Sequence, residues 1–193
     1  KSLLFLAVFS FPIAIGMMFL MQPFIVLVPR YIKWEPALFS FYLFTISAVL
    51  ATLSSPLVNA LNAVGRIRYT FYLMIVWTTL TWILVPLGIR QFGFNGVAQA
   101  AIVIGLTSFL PIFVIRKLVK LRLLSILIKP VVATSFMALT MGTVVITISD
   151  PLTKFMVSSV VGFGIYGLLI FGLLRQELSP YLGLLFGEKK SIS

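Results

Sequence analysis

The side chains able to do chemistry in this chain are few. Its acids are Glu35, Asp150, Glu177 and Glu188, and it has neither histidine nor cysteine. The usual general base, the commonest metal ligand and every thiolate site are therefore missing from the sequence. The four carboxylates are too far apart in sequence to suggest an acid–base pair, and no GxxxxGK phosphate loop is present. Gly162, Gly164 and Gly167 match the dinucleotide fingerprint literally, but they lie in an apolar run with no acidic residue about 20 positions on. These residues point away from an enzyme, and no cofactor or metal is expected. What remains is a set of cations and amides: Arg30, Asn59, Asn62, Arg66 and Arg68. Taken by themselves, arginines at the ends of apolar runs read as ordinary topology anchors, and the amides as helix-packing or cavity-lining groups.

The elements that must carry these residues follow from where charge is absent. Six uncharged runs separate the charged clusters: Ser2–Pro29, Pro36–Gly65, Tyr69–Ile89, Gln91–Ile115, Pro130–Ser149 and Phe155–Leu174. Each has the roughly 20 residues that a helix needs to cross about 30 Å of hydrocarbon. A charge at mid-bilayer costs at least about 2.5–3.5 kcal/mol, which explains why the runs lack them. The expected fold is all-α: a polytopic integral membrane protein with six transmembrane helices. The composition, 61% hydrophobic and 10% charged, leaves no room for a soluble domain beside them. Four spans occupy residues 1–115, an interfacial linker 116–129, two further spans 130–174, and a polar tail 175–193.

Charge also orients the spans. Lys1, Arg66, Arg68, Arg116, Lys117, Lys120, Arg122, Lys129, Arg175, Lys189 and Lys190 fall on one side of such a bundle, against Arg30, Lys33, Arg90 and Lys154 on the other. The positive-inside rule places both termini in the cytoplasm, with the chain in the cytoplasmic membrane. A net charge of +11 is then explained by anionic lipid heads, and no nucleic-acid partner is expected. The chain starts at Lys1 and enters an apolar run at once, which suggests the C-terminal part of a longer protein.

Within the runs, the first carries Pro12 and Pro23, so a kinked helix is expected, either static or a moving hinge. The second is 30 residues long and holds Thr52, Ser55, Asn59 and Asn62 at spacings of three, four and three, one polar stripe of a helix. Such a stripe either bonds to neighbouring helices or lines a wet cavity. The third run is read as ending near Val85–Gly88, with Trp77 and Trp82 approaching the membrane interface. Ser158 with Gly162, and Ala138 with Gly142, have the spacing of close helix packing.

Three segments carry a family resemblance. Leu61–Arg68 (LNAVGRIR) resembles the L-x-A-x-G-[KR]-x-[KR] stretch of the polysaccharide exporters, the Wzx-like lipid-linked oligosaccharide flippases. Gln91–Ala100 (QFGFNGVAQA) resembles the turn that follows between two spans of that family, and Pro23–Tyr31 resembles an upstream segment. One departure is Val28-Pro29-Arg30, where a Gly is common in the family. The resemblance covers residues 3–130 and implies the C-terminal portion of a two-lobed, MATE-like transporter, whose N-terminal lobe would be its partner. It also implies a substrate, a polyprenyl-pyrophosphate-linked oligosaccharide, flipped across the cytoplasmic membrane by alternating access during polysaccharide biosynthesis. Arg66 and Arg68 beside Asn59 and Asn62 would meet the headgroup at the inner mouth, and Arg30 at the outer. Two other readings remain open: a six-span substrate-binding subunit of a vitamin importer, and a multidrug or cation exporter of the related MATE family.

Overall fold

The computed structural model describes residues 2–116 and 123–185. The described residues are helical with no strand, in the order α1 (Ser2–Leu27), α2 (Leu38–Ala63), α3 (Ile67–Phe92), α4 (Asn95–Leu106), α5 (Leu110–Arg116), α6 (Leu123–Thr147) and α7 (Pro151–Leu185). A 3-10 stretch, Pro29–Ala37, leads into α2, and a 3-10 turn, Thr107–Phe109, separates α4 from α5. Six segments are long and apolar enough to cross a membrane, with α4 and α5 together making one of them. The protein is thus an all-α, multi-pass membrane protein.

The helices run up and down. Leu3, Leu61, Leu73 and Ile115 pack into one cluster with Ile126, so the starts of α1, α3 and α6 and the ends of α2 and α5 share one end of the bundle. At the opposite end Phe24 of α1 lies against Phe155 of α7, with ring centroids 6.1 Å apart, and Ser40 of α2 bonds to Asn95 of α4. Two groups result. α1 packs on α6 and α7, α2 packs on α4 and α5, and α3 packs chiefly on α4; the groups meet where α1 lies beside α2.

Proline behaves as lipid solvent allows. Pro12, Pro23, Pro56, Pro86 and Pro130 all lie inside continuous helices. Pro12 has no amide hydrogen to offer the carbonyl of Val8 one turn earlier. The Tyr166 hydroxyl on α7 donates to that carbonyl instead, at 2.6 Å. An orphan carbonyl in hydrocarbon would cost several kcal/mol, so α7 supplies what Pro12 removed. The bond that Pro12 removes from α1 is thus replaced from α7 while the helix stays continuous.

One sequence expectation needs correction. The third span does not stop at Val85–Gly88: α3 runs through Pro86 to Phe92. Proline ends helices in water, where the unfolded alternative is solvated, but that alternative is far worse in lipid. Trp77, read as approaching the interface, has a partner within the bundle. It sits mid-way along α3, and its indole N–H donates to the Thr107 hydroxyl at 3.0 Å. Leu123–Lys129, read as the second half of the linker, is continuous with α6, and α7 carries on as helix past Leu174 to Leu185. The rest of the linker, 117–122, and the end of the tail, 186–193, lie outside the described residues.

The small-residue spacings do set helix approach. Ser158 and Gly162 are buried on α7, and a Cβ at Gly162 would meet Met141 of α6 at 2.6 Å. Gly142 lies against Phe19 of α1. Gly164 and Gly167, by contrast, face open space, so the glycine fingerprint is one packing residue and two bystanders.

Candidate functional site

The resemblance-bearing segments are, first of all, helix ends. Leu61–Arg68 forms the C-terminal cap of α2. Gly65 has φ +72°, its N–H donates to the Asn62 carbonyl, and the Arg66 N–H reaches the Leu61 carbonyl at 2.9 Å. Those two bonds satisfy carbonyls that the helix end leaves open, and the left-handed residue they need is the glycine. Across the same turn the Thr70 hydroxyl, buried at the start of α3, donates to the Asn62 side-chain oxygen at 2.7 Å. Gln91–Ala100 is built comparably at the other end. Gly93 has φ +59°, and a Cβ at Gly96 would run into the Gly88 backbone. The α3–α4 hairpin is therefore closed by backbone touching backbone.

The polar stripe of α2 meets a neighbour only at Asn62, through Thr70, among the described residues. Ser55 and Asn59 are exposed, and the Thr52 hydroxyl bonds back to the Ala48 carbonyl of its own helix at 2.8 Å. The face that α2 turns to α4 is a different one, formed by Ser40, Ser47 and Ser54 at seven-residue spacing. The Ser40 hydroxyl donates to Asn95 Oδ1 at 2.6 Å and that of Ser47 to the Ala101 carbonyl at 2.9 Å. Sequence reading placed the amides in a stripe and did not group these serines into a face of their own. Their heptad spacing was the available signal, since small hydroxyl residues at helix contacts are a membrane device.

Four of the five candidate residues come together. Asn59 and Asn62 occupy the last turns of α2, Arg66 lies in the cap, and Arg68 opens α3; both Arg side chains are exposed. Arg30 does not join them. It lies exposed on the 3-10 stretch before α2, and the 26 residues of α2 put about 39 Å between the two ends at about 1.5 Å per residue. One headgroup cannot touch both sets at once.

A second concavity was not foreseen. Between α1, α2 and α6 lies an open groove of about 290 Å³, lined by Phe11, Ala14, Met18, Ile46, Val49 and Ala138 among others. Thr45, Thr134 and Ser135 also line it, but each hydroxyl donates to a carbonyl of its own helix, at 2.8, 2.7 and 2.9 Å. The groove wall is therefore apolar in effect. No run in the sequence announces it, because its lining comes from three helices far apart in the chain.

Electrostatically, the end bearing Arg66 and Arg68 is basic, and no ion pair neutralises either residue among the described residues. At the other end Asp150 caps α7: its carboxylate accepts the Thr153 N–H at 2.7 Å. The bonds from Thr153 hold its carboxyl below the usual carboxylate range. No protein-family model, no curated protein and no solved structure matches this chain.

Proposed function

We propose that this protein is part of a two-lobed transporter that flips a polyprenyl-pyrophosphate-linked oligosaccharide across the cytoplasmic membrane, with the Arg66–Arg68 end in the cytoplasm. One observation carries the reading: Ser55 and Asn59 form a polar face within a membrane-spanning helix that is exposed among the described residues, and one turn on, past Asn62, this face runs into an unneutralised pair of arginines. Amides in hydrocarbon without partners are costly, so such a face calls for water or for a further polar helix beside it. A wet path between two lobes supplies both. The arginines at its mouth suit a pyrophosphate, which accepts paired, charge-assisted bonds from guanidinium groups. An importer subunit would want a deep polar pocket in place of the apolar groove between α1, α2 and α6.

The reading is tested by reconstituting the product of the whole reading frame that encodes this chain into liposomes with a fluorescent polyprenyl-pyrophosphate glycolipid. Translocation is followed as protection from a quencher that cannot cross the membrane. Arg66→Ala with Arg68→Ala is expected to slow it at least tenfold, while Arg90→Ala leaves it unchanged. A double variant that flips the lipid at the parent rate contradicts the proposal.

A further inference from the structure

Five of the prolines in membrane-spanning segments leave their helix whole, and one does not. Pro111 is fully buried, and just before it the chain leaves the α-helix for the turn Thr107–Phe109, in the middle of the Asn95–Ile115 span. Its missing amide hydrogen would have served the Thr107 carbonyl, which takes the Leu110 N–H instead. A proline alone does not produce this outcome here, as Pro12 and Pro86 show. What sets the joint apart is a grip from another helix. The Thr107 hydroxyl donates to the Ile104 carbonyl at 2.6 Å and accepts the Trp77 indole N–H of α3 at 3.0 Å. One hydroxyl thus ties the last turn of α4, the 3-10 turn and α3 together.

We infer that the α4–α5 break is a latched hinge, held in the observed 3-10 geometry by the bond from Trp77 to Thr107. A 3-10 interruption within a membrane helix is a place where φ and ψ can change at little cost, because the regular ladder is already interrupted. The segment beyond it is short. α5 has seven residues, and its Ile115 packs against Leu57, Leu61 and Leu73, beside the turn that carries Arg66. Releasing the latch frees α5 to pivot against the ends of α2 and α3, the end of the molecule where the exposed arginines lie. Closing it restores an acceptor to the indole N–H, which would otherwise sit unpaired within the span. The inference concerns the movement of α5 and holds whatever the protein carries.

The chain has no cysteine, so a pair introduced at Phe92 and Phe113 would be its only thiols; both positions are exposed, one at the end of α3 and one on α5. Spin labels there, in the full chain reconstituted in bilayers, report the distance from α5 to the far end of α3. The parent gives one narrow distribution. Thr107→Val and Trp77→Phe each broaden it and shift its centre by about 2–5 Å, up to one helical pitch, and the double variant shifts it no further than Thr107→Val alone, which already removes the acceptor of the indole. Thr107→Ser, which keeps the hydroxyl, stays at the parent distance. Pro111→Ala restores the amide, closes the break and abolishes the response to Trp77→Phe. Parent-like distributions for both Thr107→Val and Trp77→Phe, in protein of unchanged helix content, overturn the inference. So does a Trp77→Phe response that survives Pro111→Ala.

Discussion

The two halves of this bundle hold together by different means. α1, α6 and α7 meet mainly through shape: Gly16 receives the Phe163 ring, Gly162 the Met141 side chain and Gly142 the Phe19 ring, with Tyr166 as a polar tie to Val8 and Thr134. α2, α3 and α4 meet through polar contacts: Ser40 to Asn95, Ser47 to Ala101, Asn62 to Thr70 and Trp77 to the adjoining Thr107. Lipid tails are as apolar as leucine, so neither half gains the hydrophobic drive that would join helices in water. Close packing and hydrogen bonds are the two remaining routes, and each half relies mainly on one. The difference matters for motion, because packed interfaces can slide a little, whereas a bonded interface keeps its register until a bond breaks.

The largest effect should come from the backbone-to-backbone contact of Gly88 with Gly96. Gly96→Val places a side chain against the Gly88 carbonyl, which has no rotamer with which to escape, and should cost about 3 kcal/mol or more in detergent-titrated unfolding. Gly162→Val meets only the flexible Met141 side chain and should cost about 1–2 kcal/mol. Equal losses at the two glycines would erase the contrast between a rigid and a yielding interface. Next comes the replaced hydrogen bond at Pro12 of α1. Tyr166→Phe strands the Val8 carbonyl and should cost about 1–2 kcal/mol by the same measurement. In a Pro12→Ala background the amide at position 12 serves that carbonyl, so the same substitution should cost clearly less. A cycle without coupling would show that the tyrosine does not compensate for the proline.

Ser40→Ala should cost about 0.6 kcal/mol, near the average for hydrogen bonds between membrane helices, and the serine-rich face predicts that adding Ser47→Ala is roughly additive. The smallest effect lies outside the membrane, at the cap of α7. The Asp150 carboxyl has its pKa lowered by the Thr153 bonds, so its contribution is present in full above the unfolded value of about 3.9 and fades as pH falls through the lower folded one. The Thr153 amide resonance should follow that titration in the acid range, and Asp150→Asn should keep the cap while removing the pH dependence.

The span count was legible because charge exclusion from hydrocarbon is a large and local effect. Span ends were less so: Pro86 reads as a stop by rules formed in water, and the helix passes through it. Asn59, Asn62, Arg66 and Arg68 could be placed together because one helix end and its cap carry them all. Arg30 was assigned to the opposite end by the same logic, and it lies there. What could not be read were partners between helices. Pro12 announces an unpaired carbonyl at Val8, but nothing near it in sequence names Tyr166, 158 residues away, as the donor. The apolar groove was hidden for the same reason.

The central claim is that the uncovered polar face of α2 lines an aqueous path, and thiol accessibility in the native membrane tests it most directly. In this cysteine-free chain, Ser55→Cys and Asn59→Cys should react with a membrane-impermeant thiol reagent applied from the side that labels Val64→Cys in the cap, while Ser47→Cys, turned toward α4, should not. Failure of both Ser55→Cys and Asn59→Cys to react from either side, with Val64→Cys fully labelled, would contradict the account.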